Sequence, residues 1–347
     1  MVISKTPFRI SFFGGGTDFP SWYLKEGGAV LSTAIDKYCY LSARYLPPVF
    51  GHRYRIVWSQ IETVDNLSEI VHPIAREGLR YLGFEHGPGV ELHHQSDLPA
   101  RSGVGSSSAF AVGLIKALYA LKGKFIEKEE LARAAIYLEQ TLLGESVGSQ
   151  DQVASAHGGF NIIEFRPGGE IHVRPLRLSE SRRQELEAHL VLIYTGEGRN
   201  GTELTAHAIA NIPKRTETLR GLHRLVGSAA DLLSSEKDIL ELGTLFRETW
   251  ALKRELNPLA SNSRIDGLYR QAIDAGALGG KVLGAGGAGF LLLFVPPARQ
   301  SRVLATLAGQ PHVPFHFESA GSSLILGQDQ FPPRVNDSAH EVRPWLM

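Results

Sequence analysis

The 347-residue chain has a single cysteine, Cys39, so no disulfide can form within it, and a reducing, cytoplasmic compartment is the expectation. It has no net charge. Its 36 Lys and Arg balance 36 Asp and Glu, which disfavours a nucleic-acid binder that relies on a basic field. It also lacks a long apolar run: residues 282–295 are broken by glycines and end at Pro296-Pro297, short of the ~20 residues a bilayer requires. No membrane association is expected. Lys5 and Arg9 are followed by no apolar core, so no secretory signal is expected. Internal repeats and low-complexity tracts are absent. Gly123-Lys124 and Gly280-Lys281 lack the spaced glycine and following Ser/Thr of a Walker loop, and the protein-kinase signatures are missing. His93-His94 has no zinc-ligand partners at sensible spacing and reads as strand surface.

What remains is ordinary globular composition, 43% apolar and 21% charged, at a length that suggests two domains. β-forming residues predict strands at 9–13, 29–35, 38–45, 54–58, 90–94 and 160–165. Helices are predicted at 69–82, 109–121 and 127–143. In the second of these, Phe110, Leu114, Leu118 and Leu121 recur on one stripe. The second half alternates: a strand at 190–194, helices at 202–210, 213–234, 239–256 and 263–275, strands at 282–283 and 290–295 around a glycine loop, a helix at 300–307, and strands at 313–317 and 322–325. The polar stretch 166–181 marks a boundary. The expected division is 1–170, 182–331, and a loosely packed tail at 332–347.

Four segments can carry chemistry. In the first, a strand runs into Gly14-Gly15-Gly16-Thr17-Asp18, where glycines allow close backbone approach and Asp18 offers two acceptors to vicinal sugar hydroxyls. A plain glycine turn explains it equally well. In the second, a loop with Gly103, Val104 and Gly105 enters the strongest helix through Ser106, Ser107 and Ser108. Free N–H groups at a helix start bind phosphate, and three serines exceed what N-capping needs. In the third, Glu139 and Asp151 can divide into a metal ligand and a base. A solvated Glu and a helix cap explain that pair taken alone. In the fourth, residues 284–289 satisfy Gly-x-Gly-x-x-Gly but precede a β-like run rather than a helix, so a dinucleotide fingerprint fails on context. A glycine hairpin beside a ligand, with Gly286 and Gly287 at its tip, fits better.

In this order the four segments resemble the GHMP small-molecule kinases. Pro99 to Ser108 matches the family's Pro-x-x-x-Gly-Leu-Gly-Ser-Ser-Ala, with Val104 and Ser108 as departures. Pro7, Arg9, Gly14, Thr17, Asp18 and Phe19 match its first motif, and residues 281–290 its third. The resemblance implies an α+β fold of two domains, an N-terminal ribosomal-protein-like α/β domain and a C-terminal ferredoxin-like one, with the site between them. It implies ATP as donor with Mg²⁺. It places residues 103–108 on the phosphates, Ser107 and Glu139 on the metal, Asp151 as base and Arg9 beside the moving phosphoryl. Gly15, Gly16, Thr17, Asp18, Gly286 and Gly287 fall on the acceptor. Gly15-Gly16 replaces the Glu-His of galactokinases, which argues against galactose. Phe-Phe-Gly-Gly-Gly-Thr-Asp-Phe-Pro, Asp-Leu-Pro-Ala-Arg-Ser-Gly and Gly-Ser-Gln-Asp-Gln are similar to the branch that phosphorylates a heptose 7-phosphate at C1 in supplying GDP-heptose for bacterial surface polysaccharide. Its acceptor is a sugar phosphate, whose second phosphate needs cations. Arg101, Arg199, Lys214 and Lys281 are the candidates. A homodimer is implied. Another sugar 1-kinase and a non-catalytic sugar and ATP sensor are the rivals.

Overall fold

The computed structural model describes residues 1–196 and 201–326, so Arg199 and the tail 332–347 lie outside the described residues. In chain order the elements begin β1 (Val2–Phe13), α1 (Pro20–Glu26), β2 (Gly28–Leu46), β3 (Tyr54–Val57), β4 (Ile61–Val64), α2 (Pro73–Tyr81), β5 (Gly89–Ser96), α3 (Ser106–Leu121), α4 (Lys128–Tyr137), α5 (Gln150–His157), β6 (Phe160–Phe165) and β7 (Ile171–Pro175). There follow α6 (Glu180–Ala188), β8 (Leu190–Tyr194), α7 (Gly201–Asn211), α8 (Thr216–Leu233), α9 (Leu242–Leu256), α10 (Ser263–Ala275), β9 (Gly279–Val282), β10 (Phe290–Phe294), α11 (Pro297–Thr306), β11 (Phe317–Glu318) and β12 (Ser323–Leu326). Among the described residues no helix is long and apolar enough to cross a membrane.

The larger sheet runs β12-β1-β2-β5-β3-β4, with β6 and β11 paired to β2 and β7 paired to β6, and among the described residues only β3 and β5 pair in parallel. β2 serves two neighbourhoods. Every residue of its first part, 28–35, is buried, as in a strand covered on both faces. From Cys39 on, burial alternates, because only one face is covered. α3 lies on that sheet, with α2, α4 and α5 beyond it, so it is apolar all round rather than on one stripe. Gly113 lets α3 settle onto β1: a Cβ there would come 2.9 Å from Thr6 Oγ1.

The smaller sheet, β8-β10-β9, is antiparallel. Val191, Ile193, Leu291 and Leu293 face a core with Trp250, Ile265 and Val303. Leu192, Leu292 and Phe294 face the main core. Both faces being covered, residues 290–294 read as an unbroken apolar run. A ferredoxin-like sheet has a fourth strand. Here its place is held by the single bridge Ile193↔His312 among the described residues.

Two features depart from the sequence expectation. The strands expected to close the second domain instead join the first sheet: β12 pairs with β1 (Ile3↔Leu326) and β11 with β2 (Phe317↔Ile35). Phe317 packs on Phe12 and Phe160 at ring-centroid distances of 6.1 and 5.5 Å. β7 also belongs to that sheet, as a hairpin with β6, although it lies within the stretch read as a boundary. The two halves are joined by aromatics at the end of β1: Phe13 lies 4.9 Å from Phe246 of α9, which lies 5.7 Å from Phe294 of β10.

Candidate active site

Arg9, near the middle of β1, is 2% exposed. Its guanidinium donates to both carboxylate oxygens of Asp151, at 2.6 and 2.5 Å, and to the carbonyl of Gly103 at 2.7 Å. Asp151 lies in the first turn of α5, its side chain 23% exposed. The bidentate pair fixes the carboxylate's plane while leaving it lone pairs for another donor. The main-chain N–H of Arg9 also donates to the carbonyl of Val104, at 3.1 Å. One residue thus holds both the phosphate-loop candidate and the base candidate.

α3 begins behind Gly105, whose φ of +78° only glycine adopts readily, and no side chain caps it. The serines are used otherwise. Ser106 Oγ accepts from the N–H of Arg101 at 3.2 Å, Ser108 Oγ donates to Glu139 Oε2 at 2.7 Å, and Ser107 lines the cavity. A helix start left uncapped by its own serines presents free N–H groups and positive dipole to an anion, which disposes of simple N-capping.

Glu139 is fully buried. It sits in a π-helical turn, Leu138–Leu142, where one continuous helix was expected. Oε2 accepts from Ser108 and from Gln152 Nε2 at 2.6 Å, whereas Oε1 has no hydrogen-bond partner among the described residues. Burial pushes its carboxyl up to about 7, the Ser108 and Gln152 hydrogen bonds only partly offsetting that. A buried carboxylate oxygen left without a partner behind an uncapped helix start has the chemistry of a metal ligand.

Asp18 is 2% exposed and lines the same cavity. Its oxygens accept from the N–H of Gly16 and from Gln150 Nε2, both at 2.9 Å, and burial raises its proton affinity. Gly148 leaves room for it, since a Cβ there would lie 1.9 Å from Asp18 Oδ2. Gly148→Ala is expected to displace that carboxylate. Steady-state kinetics should show the acceptor KM raised about tenfold or more, with the KM for ATP unchanged.

Gly15, Gly16, Asp18, Ser107, Ser108, Arg9 and Asp151 all line the cavity. Thr17 does not: it is fully buried, and its hydroxyl lies 2.8 Å from the Gly14 carbonyl and 2.9 Å from that of Ala29, pinning the turn to β2. Gly286 and Gly287 pack on Ala260 and Leu204, so Gly284 and Ala285 are the members of that loop that face the cavity. The glycine loop also packs against the segment that leads into α3, since a Cβ at Gly284 would meet Gly103 Cα at 2.6 Å. Of the cation candidates, Arg101 and Lys214 are exposed and Lys281 lines the cavity.

Sequence reasoning missed Lys253. Its ammonium donates to the carbonyls of Val282 and Gly284 at 2.7 and 2.5 Å and faces the cavity. Lys281 donates to the carbonyls of Ser11 and Phe12 at 2.9 and 3.0 Å. Burial lowers both ammonium groups, Lys281 to about 7 and Lys253 well below its usual range. The signal was available. Leu242, Phe246, Thr249, Lys253 and Leu256 recur at spacings of four and three, the buried stripe of α9, and a lysine in such a stripe faces inward.

Two family models match, the GHMP kinases N terminal domain over residues 69–159 and GHMP kinases C terminal over residues 228–310. The chain is 30% identical over 321 residues to the D-glycero-alpha-D-manno-heptose 7-phosphate kinase of Campylobacter jejuni, covering 88% of this chain and 93% of that enzyme. It is 27% identical over 323 residues to a bifunctional fucokinase/GDP-fucose pyrophosphorylase of Arabidopsis thaliana, 86% of this chain but 30% of that protein. A solved D-glycero-D-manno-heptose 1-phosphate kinase from Bacteroides thetaiotaomicron shares the fold, with a TM-score of 0.77 at 24% identity, over 95% of this chain and 100% of that one. The chain belongs to the GHMP kinase family. It is a phosphotransferase with an alcohol group as acceptor and ATP as donor.

Proposed function

We propose that the protein transfers the γ-phosphoryl group of ATP to the anomeric C1 hydroxyl of D-glycero-D-manno-heptose 7-phosphate. The 1,7-bisphosphate so formed supplies GDP-heptose for bacterial surface polysaccharide such as capsule, in the cytoplasm and from a homodimer. The observation that carries the reading is one cavity lined by an uncapped serine-bearing helix start, the Arg9–Asp151 pair and Asp18, with Gly15-Gly16 leaving room for a larger sugar. The 30% identity to the Campylobacter jejuni heptose 7-phosphate kinase favours that acceptor over fucose.

In this reading the N–H groups at residues 106–108 hold the triphosphate, and Asp18 with Gln150 orients sugar hydroxyls. Asp151 takes the proton of O1 as the bond from O1 to phosphorus forms and the bond to the ADP oxygen breaks. A carboxylate is a weak base for an anomeric hydroxyl, so the proton leaves late, which a loose transition state permits. Arg9 keeps Asp151 in place and offsets charge on the moving group. Glu139 and Ser107 would hold Mg²⁺, which supplies neutralisation of phosphate charge.

An ADP-coupled assay with heptose 7-phosphate, D-mannose, L-fucose and D-galactose tests this. Heptose 7-phosphate should exceed the free hexoses in kcat/KM by about 100-fold or more, the worth of a few charge-assisted hydrogen bonds. Preferential turnover of fucose or galactose sinks the heptose assignment. Absence of turnover with every sugar leaves the sensor.

A further inference from the structure

The cavity carries two ammonium groups that form no salt bridge among the described residues, the Asp18 carboxylate acting on both only at longer range. Arg9 already carries Asp151 and Gly103, whereas Lys253 and Lys281 each use two N–H donors on main-chain carbonyls, leaving one apiece for an occupant. Burying an ammonium among neutral acceptors is unfavourable unless an anion completes its surroundings. Beside them Thr249, 1% exposed, lines the cavity, and its hydroxyl has no hydrogen-bond partner among the described residues. Thr249 and Lys253 stand four residues apart, so they share one face of α9.

That face lies at the acceptor's end of the cavity. The turn carrying Asp18 packs against α9, since a Cβ at Gly16 would come 2.9 Å from Leu256 Cδ2.

We propose that Thr249 and Lys253, with Lys281, seat the phosphate that the acceptor already carries and so select a phosphorylated sugar over a free one. This rests on the heptose 7-phosphate reading above. The seat is built of one hydroxyl and two ammonium groups on two rigid elements, α9 and β9, so it imposes a fixed position on the phosphate and thereby a fixed distance to the reacting end of the sugar.

The test compares heptose 7-phosphate with the same heptose lacking its phosphate, at saturating MgATP, for the full-length protein and its Lys253→Met, Lys253→Arg and Thr249→Val variants. Lys253→Met should raise the KM for heptose 7-phosphate about 100-fold and lower kcat/KM for heptose 7-phosphate at least about tenfold more than kcat/KM for the free heptose. Lys253→Arg should recover part of the loss, and Thr249→Val should raise the same KM about tenfold. Equal losses on both acceptors overturn the seat and assign Lys253 to the transferred phosphoryl. An unchanged KM for heptose 7-phosphate in Thr249→Val overturns it too, and that near-isosteric variant decides the matter if Lys253→Met does not fold. A wild-type protein that does not prefer the phosphorylated sugar overturns the functional reading itself, before any variant is made.

Discussion

Asp151→Asn is expected to lower kcat by about 10³-fold and to leave the KM for ATP within roughly threefold of wild type. The amide cannot accept a proton from the acceptor's hydroxyl. It also turns an NH₂ toward the guanidinium of Arg9, where two donors oppose each other in place of a bidentate pair. Arg9 keeps its bond to the Gly103 carbonyl, so the phosphate loop stays anchored and nucleotide binding survives. Single-turnover phosphoryl transfer with equilibrium nucleotide binding separates the two effects. Near-normal turnover would remove Asp151 from the role of base, whereas loss of ATP affinity would mean that the Arg9–Asp151 pair holds the loop and nothing more.

Glu139→Gln should make the ligand-free protein more stable and the enzyme worse. In the folded protein this carboxyl titrates near 7, above the 4.5 of an unperturbed glutamate, because burial disfavours its charge. Between those values the folded state keeps a proton that the unfolded chain has released. Stability contributed by this group therefore falls as pH rises from 4.5 to 7 and stays low above it. A shift of that size corresponds to roughly 3 kcal/mol. Glutamine carries no charge, so urea melts at pH 8 should show the variant more stable than wild type by a few kcal/mol, and melts at pH 4.5 should show little difference. If Glu139 holds the metal as proposed, turnover should fall by about 100-fold or more with the loss of a charged ligand oxygen. A wild type and variant whose stabilities differ equally at both pH values would show that Glu139 stays ionised in the fold.

Much of this site is written in local sequence, because glycines and serines at a helix entrance have few other uses in that order. Asp18, Glu139 and Asp151 are spaced so that only the fold reveals their company, and the order of the four segments supplied it. Other features leave little local trace. β9 hides in Gly279-Gly280, residues that disfavour strands, because a Cβ at Gly280 would strike the Leu292 carbonyl at 2.5 Å. α6 buries Leu186 alone among its residues, so it shows no apolar stripe. Lys253 reads as a solvated helix cation unless its place in the stripe of α9 is counted. The π turn at Leu138–Leu142 interrupts a periodicity that carries on beyond it, and so passes for continuous helix.

The pairing of β12 with β1 has a bearing on biosynthesis. A ribosome adds about 5–20 residues each second, so roughly a quarter of a minute to a minute separates translation of Val2–Phe13 from that of Ser323–Leu326. Throughout that interval the nascent first sheet has an open flank that its own final segment has yet to cover, a natural target for chaperone attention.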